Sequence, residues 1–275
     1  VSGMVAAREL ALQGFEVSLV EKSEVLGGNA RNIRHTWRGE DSQAFLEKLI
    51  REVESDPRIH VYLNAQVTEV QGFMGNFTTT VRVGNGSGEP IQVRHGAVVI
   101  ATGARESKPK EYMYGQDPRV LTAQEFDRLW AQGDPKVKGA KTIAFIQCVG
   151  SREPQRPYCS KVCCTHTCQS AVRLKQEDPE RDVMVFYRDV RTYGFNEDHY
   201  KAAREKGVLF FRFDLENKPK VSLNPSGRLE LQGTDHVLGL PLTVEPDLIV
   251  LAAAIEPNDN QALAQLYKVP LNDDG

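Results

Sequence analysis

A chain of 275 residues, 40% of them hydrophobic and 26% charged, has the length and composition for two packed domains. A net charge of −3 argues against a nucleic-acid or anionic-membrane partner, and no apolar run approaches the roughly 20 residues needed to span a bilayer. All five cysteines lie between Cys148 and Cys168, which argues against a secreted disulfide scaffold and for the reducing cytoplasm.

Residues 4–13 carry apolar side chains at helical spacing, with Gly14 as C-cap, and residues 15–21 alternate as a strand ending in Glu21. This pair reads as the helix and second strand of a βαβ dinucleotide unit. The first strand and first glycines are expected just before Val1, so the chain reads as a fragment of a longer polypeptide. Gly3 then fits the third glycine of G-x-G-x-x-G, and Glu21 stands near the distance at which an acid bonds the adenosine ribose. An ordinary helix–strand pair is the plainer alternative. Leu26-Gly27-Gly28-Asn29 follows, where backbone without side chains admits a pyrophosphate or flavin. Residues 43–53 form an amphipathic helix, and 59–70 read as two short strands around Asn64-Ala65. Residues 77–83 and 91–95 flank the glycine-rich turn at 84–88, which predicts a three-stranded β-meander. Ala97 to Ala104 is expected as a buried parallel strand running into the Thr102-Gly103 turn, where ligands sit in open α/β sheets.

A second βαβ unit is predicted from a strand at 141–147, a helix at 167–175 and a strand at 182–187. The loop after its first strand would be glycine-rich in a nicotinamide-binding domain. Here it carries the cysteines, as C-x10-C-x3-C-C-x3-C. Four thiolates in one loop hold an iron–sulfur cluster or a zinc ion. Zinc sites favour paired C-x2-4-C knuckles, and there is no C-x-x-C for a redox dithiol. A buried strand at 246–254 and a helix at 261–267 close the chain. His166 reads as a neighbour of the thiols rather than a ligand. Arg188 and Arg191 suit a nucleotide 2′-phosphate in a reductase, or a structural or docking role here.

The run Val20 to Ala30 (VEKSEVLGGNA), Ile100 to Ala104 (IATGA), the cysteine loop with QCVGSR and YCSKVCC, and Phe186 to Gly194 (FYRDVRTYG) resemble the A subunit of heterodisulfide reductases, in particular homologues of sulfate-reducing bacteria. The resemblance runs over essentially the whole chain. It implies an α/β fold of two Rossmann-like, thioredoxin-reductase-like domains with parallel sheets and a β-meander. Residues 1–137 with 247–275 would form the FAD domain, and 138–246 an inserted domain carrying the cysteine loop. It implies one FAD, at Gly3, Glu21, Lys22, Gly27, Gly28, Asn29, Val67, Ala101, Thr102 and Gly103, with Lys22 at the adenosine or in solvent. It also implies a [4Fe–4S] cluster on Cys148, Cys159, Cys163 and Cys164; Cys168 lies outside the family's pattern, but one helical turn beyond Cys164 it is the alternative ligand in place of Cys164. The expected function is flavin-based electron transfer or bifurcation in the cytoplasm. Expected partners are other heterodisulfide-reductase-like subunits and a ferredoxin, hydrogenase or dehydrogenase, with a homodimer also allowed. Unlike archaeal members of this family, the chain has no cysteine between Glu21 and Ala97, so their ferredoxin-like insertion is not expected. An NAD(P)H-dependent flavin disulfide reductase and a non-catalytic protein with a structural metal are the competing readings.

Overall fold

The computed structural model describes residues 1–275 except Trp37, Asn85 and Val237. The chain divides into two compact units, Val1–Arg105 with Pro257–Gly275, and Glu106–Glu256. These boundaries fall before the expected 137/138 and after the expected 246/247. The reason lies in the second unit's sheet, which takes strands from 120–122 and 248–253 as well as from the predicted βαβ unit.

In the first unit, α1 (Ser2–Leu12) leads into β1 (Val17–Val20), which runs parallel to β2 (Ile59–Tyr62). Between them stands α2 (Ser42–Ser55), whose N-cap Asp41 accepts hydrogen bonds from the N–H groups of Gln43 and Ala44. Met4, Ala7 and Ala11 of α1 recur at helical spacing and pack with Leu46, Leu49 and Val53 of α2 and Ile59 of β2. Asn64, in the left-handed region at φ 49°, turns the chain into the antiparallel meander β3 (Ala65–Phe73), β4 (Asn76–Val83) and β5 (Pro90–His95). The predicted glycine-rich turn lies between β4 and β5; its Asn85 falls outside the described residues. After the second unit the chain returns to form α7 (Gln261–Tyr267), and the Tyr267 hydroxyl lies 3.3 Å from Thr79 Oγ1 of β4.

One expectation fails here. Residues 97–103 form no strand, and Val99 is 62% exposed; β6 begins only at Ala104 and covers Ala104–Glu106. An apolar run becomes a buried strand only where a neighbour takes its ladder bonds. Among the described residues the parallel sheet of this unit consists of β1 and β2.

The second unit begins with β7 (Val120–Thr122), α3 (Ala123–Ala131) and α4 (Pro135–Gly139). Then come β8 (Thr142–Val149), α5 (Cys163–Glu177), β9 (Asp182–Tyr187), α6 (Glu197–Glu205) and β10 (Leu209–Arg212). The meander β11 (Lys220–Leu223), β12 (Leu229–Asp235) and β13 (Leu240–Val244) precedes the fully buried β14 (Leu248–Ala253). The chain leaves through β15 (Ile255–Pro257). The parallel sheet has the order β10-β9-β8-β14-β7. Alternation sorts its side chains between two cores. Ile143, Phe145, Val183, Val185, Leu248 and Val250 pack with residues of α3, α5 and α6. Ala144, Ile146, Phe186, Ile249 and Leu251 pack with Leu229 and Leu231 of β12. Helix α5 starts at Cys163, four residues before the predicted Thr167, so that three of the five cysteines are helical.

Candidate metal and flavin sites

In the first unit the glycines divide by environment. A Cβ on Gly3 would lie 3.4 Å from Ala101 Cβ and 3.7 Å from Leu19 Cδ1, so this glycine sets how closely α1 approaches β1 and the 97–103 segment. Gly27 has φ +116°, and a Cβ there would meet the Arg31 side chain and Leu46, which makes it a packing glycine. Gly28 has φ +52° and nothing within 4 Å of a Cβ, so its backbone faces open space of the kind a phosphate occupies. Asn29 follows in the short 3-10 turn Gly28–Asn32. Glu21 lies just past β1; its Oε1 accepts both the N–H and the hydroxyl of Ser23 at 2.8 Å, leaving Oε2 for another donor. Lys22 is exposed, and Val67 is half-buried opposite Val81, beside a bulge in β3. Thr102 and Gly103 make a turn, with Gly103 at φ +74°; Asn258 donates from Nδ2 to the Thr102 carbonyl at 2.6 Å. These groups fit a dinucleotide: a bare backbone at Gly28 and a carboxylate at a strand end.

In the second unit the sheet order reverses between β8 and β14, and ligands of open α/β sheets sit at the carboxyl ends of strands beside such a switch. The cysteine loop starts there. Cys148, at the end of β8, has φ 60°, Gly150 68° and Arg152 59°, so the chain curls back on itself. Ser151 N–H bonds the Cys148 carbonyl at 3.2 Å and Arg152 N–H the Tyr158 carbonyl at 3.0 Å. The far side of the loop is tied to the carboxyl end of β14: Tyr158 Oη donates to the Ile255 carbonyl at 3.1 Å, and Ile255 N–H to Ser160 Oγ at 2.9 Å. Arg156 pairs with Glu256. The segment after β9 closes the third side, with Arg188 donating to the Arg152 carbonyl at 2.6 Å.

Each thiol has partners in this enclosure. Arg152 Nη1 lies 3.8 Å from Cys148 Sγ, and Lys161 N–H 3.4 Å from Cys159 Sγ. Cys163 Sγ approaches the Ala253 carbonyl at 4.0 Å. Cys164 Sγ stands 3.7 Å from the Asp189 carbonyl and accepts from the Arg191 backbone N–H. Cys148, Cys159, Cys163 and Cys164 lie within electrostatic reach of one another. Burial first, and the neighbouring thiols second, push Cys163 up to about 12; burial takes Cys164 to about 11 and also raises Cys148. Thiols so placed stay protonated at neutral pH unless a cation shares the charge, which suits metal ligands and not free redox nucleophiles. Among the described residues no three His, Cys, Asp or Glu side chains converge closely enough to hold a single metal ion. The fit to a metal centre therefore rests on the donor chemistry, four thiols with N–H donors around them.

Cys168 differs. It is 2% exposed and packs in the apolar core with Ala171 and Leu174; of the other thiols only Cys164 affects its ionisation. His166 points elsewhere, its Nε2 2.7 Å from Asp127 Oδ2. Burial, the largest single influence, opposes its charging, but Asp127 and Glu106 together raise its pKa. Arg152 and Asp189, joined at 2.6 Å, belong to the site although sequence patterns did not single them out as functional. Their separation of 37 residues leaves no local signal; their positions just after two parallel strands were the available one.

The model of an NAD(P)-binding Rossmann-like domain matches residues 1–49. The second iron-sulfur A subunit of CoB–CoM heterodisulfide reductase from Methanopyrus kandleri is 28% identical, covering 96% of this chain and 54% of its own. The alignment spans 358 positions, more than the 275 residues here, so the relative carries segments this chain lacks. The corresponding iron-sulfur A subunit from Methanocaldococcus jannaschii is 26% identical over 100% of this chain and 55% of its own. The chain thus spans about half the length of these curated relatives. Thioredoxin reductase of T. acidophilum shares the fold at TM-score 0.61 and 12% identity, covering 99% of this chain and 79% of that one. The fold is α/β of the thioredoxin-reductase type. Over nearly its whole length this chain is similar to the A subunits of heterodisulfide reductases, as its flavin-side and cysteine motifs led one to expect.

Proposed function

We propose that the chain is the FAD- and cluster-bearing part of a heterodisulfide-reductase-like electron-transfer protein, a flavin-dependent oxidoreductase working with partner subunits in the cytoplasm. The observation that carries this reading is the cysteine loop. Four thiols gather at the switch point of a parallel sheet, where a nicotinamide domain would have phosphate-binding glycines, and burial raises the pKa of three of them, Cys148, Cys163 and Cys164. When bound, a flavin supplies one- and two-electron chemistry and a [4Fe–4S] cluster supplies one-electron chemistry.

The residues of this chain hold and shield those groups. Cys148, Cys159, Cys163 and Cys164 are the proposed cluster ligands; Cys168, turned into the core, is the weaker alternative. In the first unit, Glu21 would take the ribose hydroxyls through Oε2, and Gly28 with Asn29 would meet the pyrophosphate. Thr102 and Gly103 at the Gly103 turn, with Lys22, Gly27, Val67 and Ala101, are the remaining proposed FAD contacts. Gly3 keeps α1 close to its neighbours. The first unit is accordingly the FAD unit and the second the cluster unit. A ferredoxin, a hydrogenase or a dehydrogenase is the proposed electron partner, and bifurcation at the flavin the proposed mode.

The reductase alternative is less well supported. A cysteine loop stands where the phosphate-binding glycines would lie, there is no C-x-x-C, and Arg188 and Arg191 each give a hydrogen bond to the residues around that loop, the Arg152 carbonyl and Asp189. The test is anaerobic purification of the native protein, with flavin, iron and acid-labile sulfide analysis. Flavin with about four irons and four sulfides per chain is the expected result. Flavin with zinc and no sulfide would overturn the reading and make the loop a structural staple.

A further inference from the structure

We infer that the Arg152–Asp189 ion pair sets the electron affinity of the centre held by Cys148, Arg152 as the cation and N–H donor at the sulfur and Asp189 as the opposing charge. The inference rests on the cysteine loop holding a cluster, as proposed above. The left-handed residues Cys148, Gly150 and Arg152 bring the Arg152 side chain back over the cysteine four positions earlier. One arm of its guanidinium, Nη1, lies 3.8 Å from Cys148 Sγ, and the other, Nη2, 2.6 Å from Asp189 Oδ2. The Arg152 side chain is 15% exposed and that of Asp189 43%, so the cation lies on the protein side of the pair and the carboxylate on the solvent side. Arg191 Nη2 also reaches Asp189 Oδ2, at 3.3 Å, while the Asp189 carbonyl takes the Cys164 thiol. Arg188 is the other cation whose charge reaches Cys148. The pair thus touches Cys148 through the Arg152 guanidinium, and the Asp189 main chain lies beside Cys164.

The direction of the effect follows from charge. One electron added to a thiolate-ligated cluster makes it one unit more negative, with no bond to the protein broken. Hydrogen bonds to the sulfurs and nearby cations favour that reduced state, and a nearby anion disfavours it. A planar guanidinium can serve sulfur and carboxylate together, which a lysine ammonium does less well.

The experiment is an anaerobic redox titration of the loaded protein, dithionite supplying the electrons through mediators and EPR reading the reduced cluster. Arg152→Gln is expected to move the reduced-to-oxidised ratio at fixed potential about tenfold toward oxidised, a midpoint lower by about 59 mV for one electron. Asp189→Asn is expected to move it the opposite way, and Arg152→Lys to restore part of the loss. Two loaded variants that titrate with the wild type, or shift in the same direction, overturn the inference. Should Arg152→Gln fail to load, the sign of the shift in Asp189→Asn decides. Loss of the cluster from both variants, with the wild type loaded, makes the pair structural and overturns a tuning role. A wild type without iron and sulfide defeats the functional reading itself, a distinct outcome.

Discussion

The fifth thiol offers the sharpest separation of packing from ligation. Replacing Cys168 by Ser puts a hydroxyl at a site 2% exposed, among Ala171, Leu174 and Ala203 of the helical core. A buried hydroxyl without a partner costs about 1–3 kcal/mol. At about 1.4 kcal/mol per tenfold, that is roughly a 5- to 150-fold change in the unfolding equilibrium. With a urea slope of about 2 kcal/mol/M the midpoint falls by about 0.5–1.5 M. Trp130 packs on the same core, so its fluorescence in a Trp37→Phe background follows this unit. Iron and sulfide per chain stay unchanged in Cys168→Ser. In Cys164→Ser they fall below half, because Cys164 shares its surroundings with Cys148, Cys159 and Cys163. A Cys168→Ser protein that loses its iron, beside a Cys164→Ser protein that keeps it, would refute this division of roles.

Gly28→Ala meets no atom within 4 Å but takes a left-handed backbone, so it costs about 1 kcal/mol in stability while weakening flavin binding about tenfold, read by equilibrium dialysis. Unchanged flavin affinity would remove Gly28 from the flavin site. Asp41→Ala removes the acceptor for two N–H groups at the start of α2 and lowers the stability of the first unit by about 1 kcal/mol in chemical denaturation. Asp117 is held below the usual carboxylate range by hydrogen bonds from the Arg119 guanidinium, at 2.9 and 2.7 Å. A carboxyl with a lowered folded pKa stabilises above its unfolded value and loses that contribution as pH falls through the folded one. Asp117→Asn therefore costs about 1–3 kcal/mol at pH 7, and the difference from wild type closes below about pH 4 in denaturation series.

Much of the architecture was legible because its signals are local. The strand at 182–187 and the helix at 261–267 fall on the predicted residues, and α2 extends the predicted 43–53 only by one residue before and two after. Their periodicity and caps do not depend on distant chain. Val98, Val99 and Ile100 misled because an apolar run announces burial only together with the strands that flank it, and such partners are not a property of the run. The meander β11–β13 was not read: its strands are short, and one carries Gly233 and another Pro241. Helix α5 was started late because Cys163, Cys164 and Thr165 are weak helix formers, held in the helix by tertiary contacts. The thiols were legible as a set. Which of them face one another, and the ion pair beside them, depend on strands β8, β9 and β14 lying side by side.

The ties between the cysteine loop and the end of β14 also order the protein's assembly in time. Cys163 and Ala253 are 90 residues apart, Ser160 and Ile255 95, Tyr158 and Ile255 97, and Arg156 and Glu256 100. At a synthesis rate of about 5–20 residues per second, the last wall of the loop emerges roughly 5–20 s after the first cysteines. Contacts of such separation form late, after the intervening chain has closed. Nascent chains halted before residue 253 should therefore carry reduced, accessible thiols, and the proposed cluster would be loaded only once β14 has joined the sheet.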